Sequence, residues 1–486
     1  MSILESLQND GVRVVAQRAV PRVWVDDDGW RRTINHLRAG ELTLLSLWAE
    51  ASQVHMALLQ PDDHGILILT LPCPSGRYPS VGALHPPAIR LERAMHDLYG
   101  LDPEGSPDRR GWLSHGEGTN YPFLPVEGSG LHQIPVGPVH AGIIEPGHFR
   151  FTCDGETVVR LEERLGYAHK GVDELFGGLA LEPAARLACR VSGDSTVALG
   201  FAFARAVEAA LEVTPPPRAT HLRALMSEIE RIANHLGDFG AICDDASFSM
   251  IQAHCAVLRE RMLRAADAAF GHRLMMDRIV PGGVTRDLDA DNAAMIGALV
   301  VHVREKFAAI TQLYDQTASL QDRTVSTGRL TSELARQFGA GGYVGRASGR
   351  DFDARRDPGY APYDTLRFAV PVLTEGDVNA RVWIRAQEIS ESLGLIEQIL
   401  GGLPEGDIRC DVSAASGEEG FAMVEAFRGD ILVWLRINES GVDRCHIRDA
   451  SWFQWPLLEA VIEGNIVADF PLCNKSFNCS YSGHDL

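Results

Sequence analysis

Four groupings in this 486-residue chain have side-chain types and spacing that could do chemistry. Glu145 and His148, in Glu145-Pro146-Gly147-His148, set a carboxylate beside an imidazole. Such a pair relays protons when burial tunes both groups, and otherwise serves as a plain hydrogen-bonded pair at a strand entrance. Arg428, next to Gly429 at a hairpin turn, offers a guanidinium. In an open pocket it would bind an anionic or carbonyl-bearing ligand, and on a surface turn it would be an ordinary exposed arginine. Ser192 and Ser195 stand just ahead of a helix beginning near Thr196, where hydroxyls cap free N–H groups. The last fourteen residues, Cys473 to Leu486, hold Cys473 and Cys479 six positions apart, which is not a chelating spacing.

The nine cysteines, at 73, 153, 189, 243, 255, 410, 445, 473 and 479, form no C-x-x-C pair. Their odd number and scatter in a long chain exclude a disulfide framework and a self-contained iron–sulfur or zinc site, and fit a reducing cytoplasm. The net charge of −20, from 65 acids against 45 bases, makes nucleic-acid backbones and anionic membrane surfaces poor partners. A hydrophobic share of 45% and a charged share of 23% are those of an ordinary globular protein. The first ten residues, MSILESLQND, lack the basic-then-apolar order of a signal peptide, and no apolar run reaches the ~18–20 residues of a membrane span.

These side chains must be held by an α+β fold. Residues 1–113 read as a small α/β domain, with strands at Glu41–Trp48, Gln53–Gln60 and Gly65–Leu71 and a helix over Pro86–Tyr99. Residues 114–138 are rich in Gly and Pro and read as a linker. The remainder, 139–486, reads as mainly helical with small peripheral sheets. Asp154-Gly155 turns a hairpin between Phe149–Cys153 and Thr157–Leu161. Long helices are predicted over 183–211, 218–240, 249–271, 289–320 and 378–402. A last hairpin over Phe421–Ile437 turns near Arg428-Gly429, and a helix lies around 456–463. Gly339, Gly341 and Gly342 are not a dinucleotide fingerprint, since no strand–turn–helix unit surrounds them.

Several separated motifs resemble one family along nearly the whole chain. His96-Asp97-Leu98-Tyr99-Gly100-Leu101 with Gly105-Ser106-Pro107-Asp108 is similar to the complex I 30 kDa-type subunit. Gly137-Pro138-Val139-His140, Glu145–Arg150 and Gly166-Tyr167-Ala168-His169-Lys170-Gly171 are similar to hydrogenase large subunits and the complex I 49 kDa-type subunit. So are Glu228-Ile229-Glu230-Arg231-Ile232 with His235-Leu236, Arg346–Gly349, Glu425–Gly429 and Ala468–Pro471 with Asn474–Phe477. The whole resembles the fused large subunit of hydrogenase-3, hydrogenase-4 and formate hydrogenlyase.

In that family R-V-C-G-I-C and C-Y-x-C-T-D hold nickel and iron. Here the four cysteine positions carry Ser192, Ser195, Ser480 and Gly483. Soft thiolates are required, a serine hydroxyl is hard and protonated, and glycine has no side chain. Cys189 and Cys479 lie three and one positions away, and one residue on a helix turns a ligand by ~100°. No cofactor is therefore expected on this chain, and the ending at Leu486, close to the motif, agrees with no metal insertion. By resemblance Glu145 lies on a proton route and Arg428 overhangs the metal pocket. Asp245, with Asp244 adjacent, matches the acid behind the quinone histidine of complex I. That histidine has no counterpart in Ile144-Glu145-Pro146, and Leu179–Leu181 lacks the quinone tyrosine. His169, Arg231 and His235 read as core or interface groups.

The resemblance implies a peripheral subunit on the cytoplasmic side of a membrane. Its partners would be a small subunit with a 4Fe-4S cluster and antiporter-like membrane proteins, with helix Pro86–Tyr99 docking partners. Electrons would pass to another acceptor, quinone being one, or the subunit would couple conformational change to ion movement. A genuine nickel–iron hydrogenase and a non-catalytic scaffold are the alternatives.

Overall fold

Runs of Val, Leu and Ile in the first part of the chain build a five-stranded sheet, because alternate residues of each strand can bury on either face. In the computed structural model, which describes residues 2–113, 121–140, 144–413 and 417–486, its spatial order is Val12–Arg13, Arg22–Trp24, Ile66–Pro72, Gln53–Leu59, Thr43–Glu50. Arg22–Trp24 runs parallel to Ile66–Pro72 and the other neighbours are antiparallel. Two helices that the strand pattern did not announce, Ile3–Asp10 and Asp27–Ala39, are set by side-chain caps at Ser2 and Asp26. The expected helix at Pro86–Tyr99 is a 3-10 turn at Pro86–Ala88 continued by Ile89–Tyr99.

Of the Gly/Pro-rich stretch, 114–120 lies outside the described residues. Its last part is not a linker in conformation: Leu131–Val136 is an edge strand beside the hairpin His148–Asp154 and Thr157–Arg164. Pro135, which cannot donate to a ladder, is tolerated because the strand lies at the edge.

The helical body is built on Pro217–Asp245, which packs against Ser249–Phe270 and Val378–Gly401. Thr196–Ala210 lies across a three-stranded antiparallel sheet of Glu419–Ala426, Gly429–Asn438 and Gly441–Arg448. The third strand extends the expected hairpin. One apolar core runs from Leu4 to Leu486. The N-terminal sheet joins it through stacked rings: Trp48 lies 4.9 Å from His446 and 5.6 Å from Trp434. A buried ion pair, Arg22 to Glu419 at 2.9 Å, crosses the same seam.

The inward face of Ile89–Tyr99 is spent on its own chain. Arg90 bridges Glu163 at 3.1 Å and Glu459 at 2.7 Å, while Trp112 lies under Arg90 and Arg93.

Candidate functional site

Three segments converge at the serine-bearing motifs. The expected continuous helix over 183–211 is broken there: Leu181–Ala188 ends, Ser192 is extended, Gly193–Ser195 forms a 3-10 turn and Thr196–Ala210 restarts. Neither serine caps the new helix. Val197 N and Ala198 N donate instead to the carboxylate of Glu230, at 2.7 and 3.1 Å, from the neighbouring Pro217–Asp245 helix. Ser192 Oγ donates to Asp194 Oδ1 at 2.6 Å.

The second segment is the C-terminal tail. Helix Phe470–Phe477 stops at Asn478, whose φ of 47° turns the chain. Ser480 Oγ donates to Ser192 Oγ at 3.3 Å and accepts from Gly483 N at 2.9 Å. A Cβ on Gly483 would lie 2.9 Å from both Asp449 Oδ2 and Ser480 Oγ, so a larger residue here must displace one of these buried side chains. Gly483→Cys is expected to cost ~1–3 kcal/mol by overpacking, read as a fall in the denaturation midpoint.

The third segment is the turn between Glu419–Ala426 and Gly429–Asn438, which carries Arg428. It is not an exposed hairpin arginine: its side chain is 4% exposed. Gly341 and Gly342 allow this, since a Cβ on Gly342 (φ +58°) would sit 2.1 Å from Arg428 O. Gln454 Nε2 fixes the same carbonyl at 2.7 Å. The guanidinium forks onto Asp194, with Nη1 to Oδ1 at 3.0 Å and Nη2 to Oδ2. It also donates to Ser195 Oγ at 3.3 Å and to Asn478 O. Burial opposes charge on Asp194, but Arg428 outweighs it and holds this carboxyl below the usual range.

Gly483 N, Ser480, Ser192 and Asp194 thus form one hydrogen-bond chain ending at a carboxylate 37% exposed. It can order the three segments and carry protons between hydroxyls. Its nearest cysteines offer no thiolate: burial pushes Cys189 up to about 11 and raises Cys479 well above the usual range. Among the described residues, no group of three or more His, Cys, Asp or Glu is arranged to hold a metal.

The other expected site residues sit around this centre. Glu145 accepts from Ser482 N at 2.8 Å, and Gly147 lets the Tyr481 ring lie against the chain, so the Glu-Pro-Gly-His segment clasps the tail. No hydrogen bond joins Glu145 to His148. The half-buried ring of His148 lies tilted against Phe123 at 4.7 Å, its Nε2 has no partner among the described residues, and burial with Arg150 lowers its pKa. Asp245 ends helix Pro217–Asp245, its Oδ2 is buried without a partner, and burial raises its pKa. No hydrogen bond among the described residues links it to Arg428. His235 and Arg231 are core groups, held by Glu388 at 2.7 Å and by Glu228 with the carbonyls of Glu425 and Ala426. His169 is half-buried.

Sequence reasoning missed Asp194, Glu230 and His484. His484 is fully buried, bonds Asp485 Oδ1 at 2.7 Å through Nδ1 and stacks on Trp452 at 4.1 Å. Its signal was the adjacent His-Asp in an otherwise small, polar tail. Glu230 carries a pH expectation. Burial outweighs its two N–H bonds, and its pKa is pushed up to about 8 from an ordinary 4.5. The native chain then holds a proton that the unfolded chain releases between those values. This stabilisation is complete below about pH 4.5 and is lost as pH rises through about 8. Glu230→Gln is expected to flatten the fall of melting temperature between pH 5 and 8, and an unchanged slope would remove Glu230 as its source.

Residues 23–125 match the family described as respiratory-chain NADH dehydrogenase, 30 Kd subunit, and residues 246–417 the corresponding 49 Kd subunit. The chain is 30% identical over 436 residues to formate hydrogenlyase subunit 5 of Escherichia coli (strain K12), covering 84% of this chain and 77% of that one. It is 31% identical over 353 residues to a carbon monoxide-induced hydrogenase of Rhodospirillum rubrum, covering 71% and 97%. The same identity and length relate it to an NADH-quinone oxidoreductase protein of Syntrophobacter fumaroxidans, covering 71% and 94%.

Proposed function

Because the chain belongs to the hydrogenase-3/hydrogenase-4 and complex I large-subunit family, with 30 kDa-type and 49 kDa-type parts fused, we propose that it is a peripheral subunit of a membrane-associated, energy-converting oxidoreductase complex that works without nickel–iron chemistry of its own. The observation that carries this reading is the Arg428 fork on Asp194, closed by the Ser192–Ser480 contact, at the positions where the family places its thiolates. The donor set does not fit nickel. It comprises hard, protonated hydroxyls, a glycine and a carboxylate already committed to an arginine.

In this reading the ion pair replaces the metal as the tie between the 189–195 turn, the Arg428 turn and the tail. A shift in any of the three moves the others, which suits conformational coupling to ion movement through antiporter-like membrane partners. A 4Fe-4S cluster in a small partner subunit would deliver electrons nearby, on the cytoplasmic side. No helix among the described residues is long and apolar enough to cross a membrane, and in this reading membrane partners hold the subunit in place. Reduction of another acceptor, such as quinone, is the second reading, favoured by the unpartnered buried oxygen of Asp245.

The test is metal analysis of the complex purified anaerobically from membranes with its partners. Iron and labile sulfide without nickel, and no hydrogen production or uptake, are expected. Near-stoichiometric nickel would overturn the proposal. Quinone reduction that falls at least ~10-fold in Asp245→Ala would select the second reading, and an unaffected rate would remove Asp245 from it.

A further inference from the structure

A cavity of about 540 Å³ lies away from this centre, between the N-terminal domain and the helical body. The end of helix Asp27–Ala39 and the turn after it form one wall, and helix Ser332–Gln337 with residues 349–352 the other. The volume falls within the range of small-molecule sites. Its wall includes the apolar side chains of Leu42, Leu59 and Phe352.

Among its polar lining are three arginines, none of them in an ion pair among the described residues. Arg350 is 9% exposed and stacks over Phe352 at 4.2 Å. Among the described residues its hydrogen bond is from Nη1 to Ala340 O at 3.0 Å, and no carboxylate lies in contact with it, Asp430 and Glu425 acting only from beyond ion-pair distance. A buried guanidinium with no anion in contact is an incomplete arrangement. Arg38 and Arg336 stand at the rim, exposed, with no carboxylate partner among the described residues. His85 also lines the cavity. It is 2% exposed and neither ring nitrogen has a partner. Against these three arginines stand Glu333 and Asp351, the latter already bonded to Arg356 at 2.7 Å. A locally cationic cavity in a chain of net charge −20 selects anions against the surrounding field.

We infer that this cavity binds a small organic anion, with a carboxylate or phosphate held by Arg350, Arg38 and Arg336 and a compact apolar body against Leu42, Leu59 and Phe352. Guanidinium forks match both oxyanions in geometry.

Calorimetric titration of the full-length chain with phenyl phosphate and with inorganic phosphate tests this. Saturable binding of phenyl phosphate is expected, weakened at least ~10-fold in Arg350→Met and in the double variant Arg38→Met/Arg336→Met. Arg186→Met, on a surface arginine already paired with Glu182, should leave it unchanged. The double variant keeps the test decisive if Arg350→Met does not fold, because both of its positions are exposed. Tighter binding of phenyl than of inorganic phosphate supports an organic ligand, and equal binding would overturn the apolar half of the inference. No saturable binding of either probe, or binding unaltered in the double variant, would overturn it altogether.

Discussion

Arg346→Met is expected to cost about 3–5 kcal/mol of unfolding free energy. Arg346 is essentially unexposed and bonds Glu388 Oε1 through both Nε and Nη2, at 2.9 and 2.7 Å. Its Nη1 reaches Glu425 at 2.8 Å and the carbonyl of Phe352 at 2.9 Å, with Asp353 at 3.4 Å. The surrounding cluster holds Glu228, Asp353, Glu388 and Glu425 against Arg231, Arg346 and Arg355, all buried. Removing one cation leaves four buried carboxylates facing two arginines. The cheapest relief is to protonate Glu425, already pushed up to about 7 by burial and by Asp353. Arg346→Met/Glu425→Gln should therefore be more stable than Arg346→Met alone. Arg346→Lys keeps the charge but loses the fork, and should fall between wild type and Met. Guanidinium titration of the purified chain reads all three. A loss below ~1 kcal/mol for Arg346→Met would show that the cluster does not depend on this residue.

Much of this architecture was legible in one sequence, because its strands are short apolar, β-rich runs bounded by Gly, Pro and Asp, and its helices repeat apolar residues at a period near 3.6. The strands at 43–50, 53–59 and 66–72 and the hairpin at Asp154-Gly155 follow from that pattern. Helix 183–211 was misread because the Cys189–Ser195 break is a tertiary feature: Glu230, thirty-odd residues away, supplies the cap that local serines were expected to give. The three glycines at 339–342 could be refused a nucleotide, but the purpose of Gly341 and Gly342, a close approach of this segment to the Arg428–Asp430 turn, exists only once the two segments meet. At the site the readable clue was Asp194. It stands where the resembling motif has isoleucine, between two lost cysteines, while Arg428 is retained. An acid gained opposite an arginine kept implies a pair. The proximity of Glu145 to Ser482, in contrast, required the tail's folded path.

That pair yields an asymmetric double-mutant cycle. Asp194→Ala leaves a guanidinium 4% exposed with only Ser195 Oγ and Asn478 O as acceptors, an uncompensated buried charge expected to cost ~3–5 kcal/mol. Arg428→Met leaves a carboxylate 37% exposed that still accepts from Ser192, so water can take the arginine's place and the cost should be ~1–2 kcal/mol. The double variant should resemble Arg428→Met, giving a coupling of ~3–5 kcal/mol that belongs to the pair and not to either residue alone. Hydrogen exchange provides the structural readout: breaking the pair should speed exchange at Ser480, Gly483 and neighbouring tail amides before the helical body responds, since Ser480 meets Asp194 through Ser192. If Arg428→Met instead costs more than Asp194→Ala, the arginine acts through its packing on Phe427 and its carbonyl bond to Asn478. The ion pair would then not stand in for the metal as the tie between the three segments. The order of the two losses therefore decides whether charge compensation or packing holds the centre together.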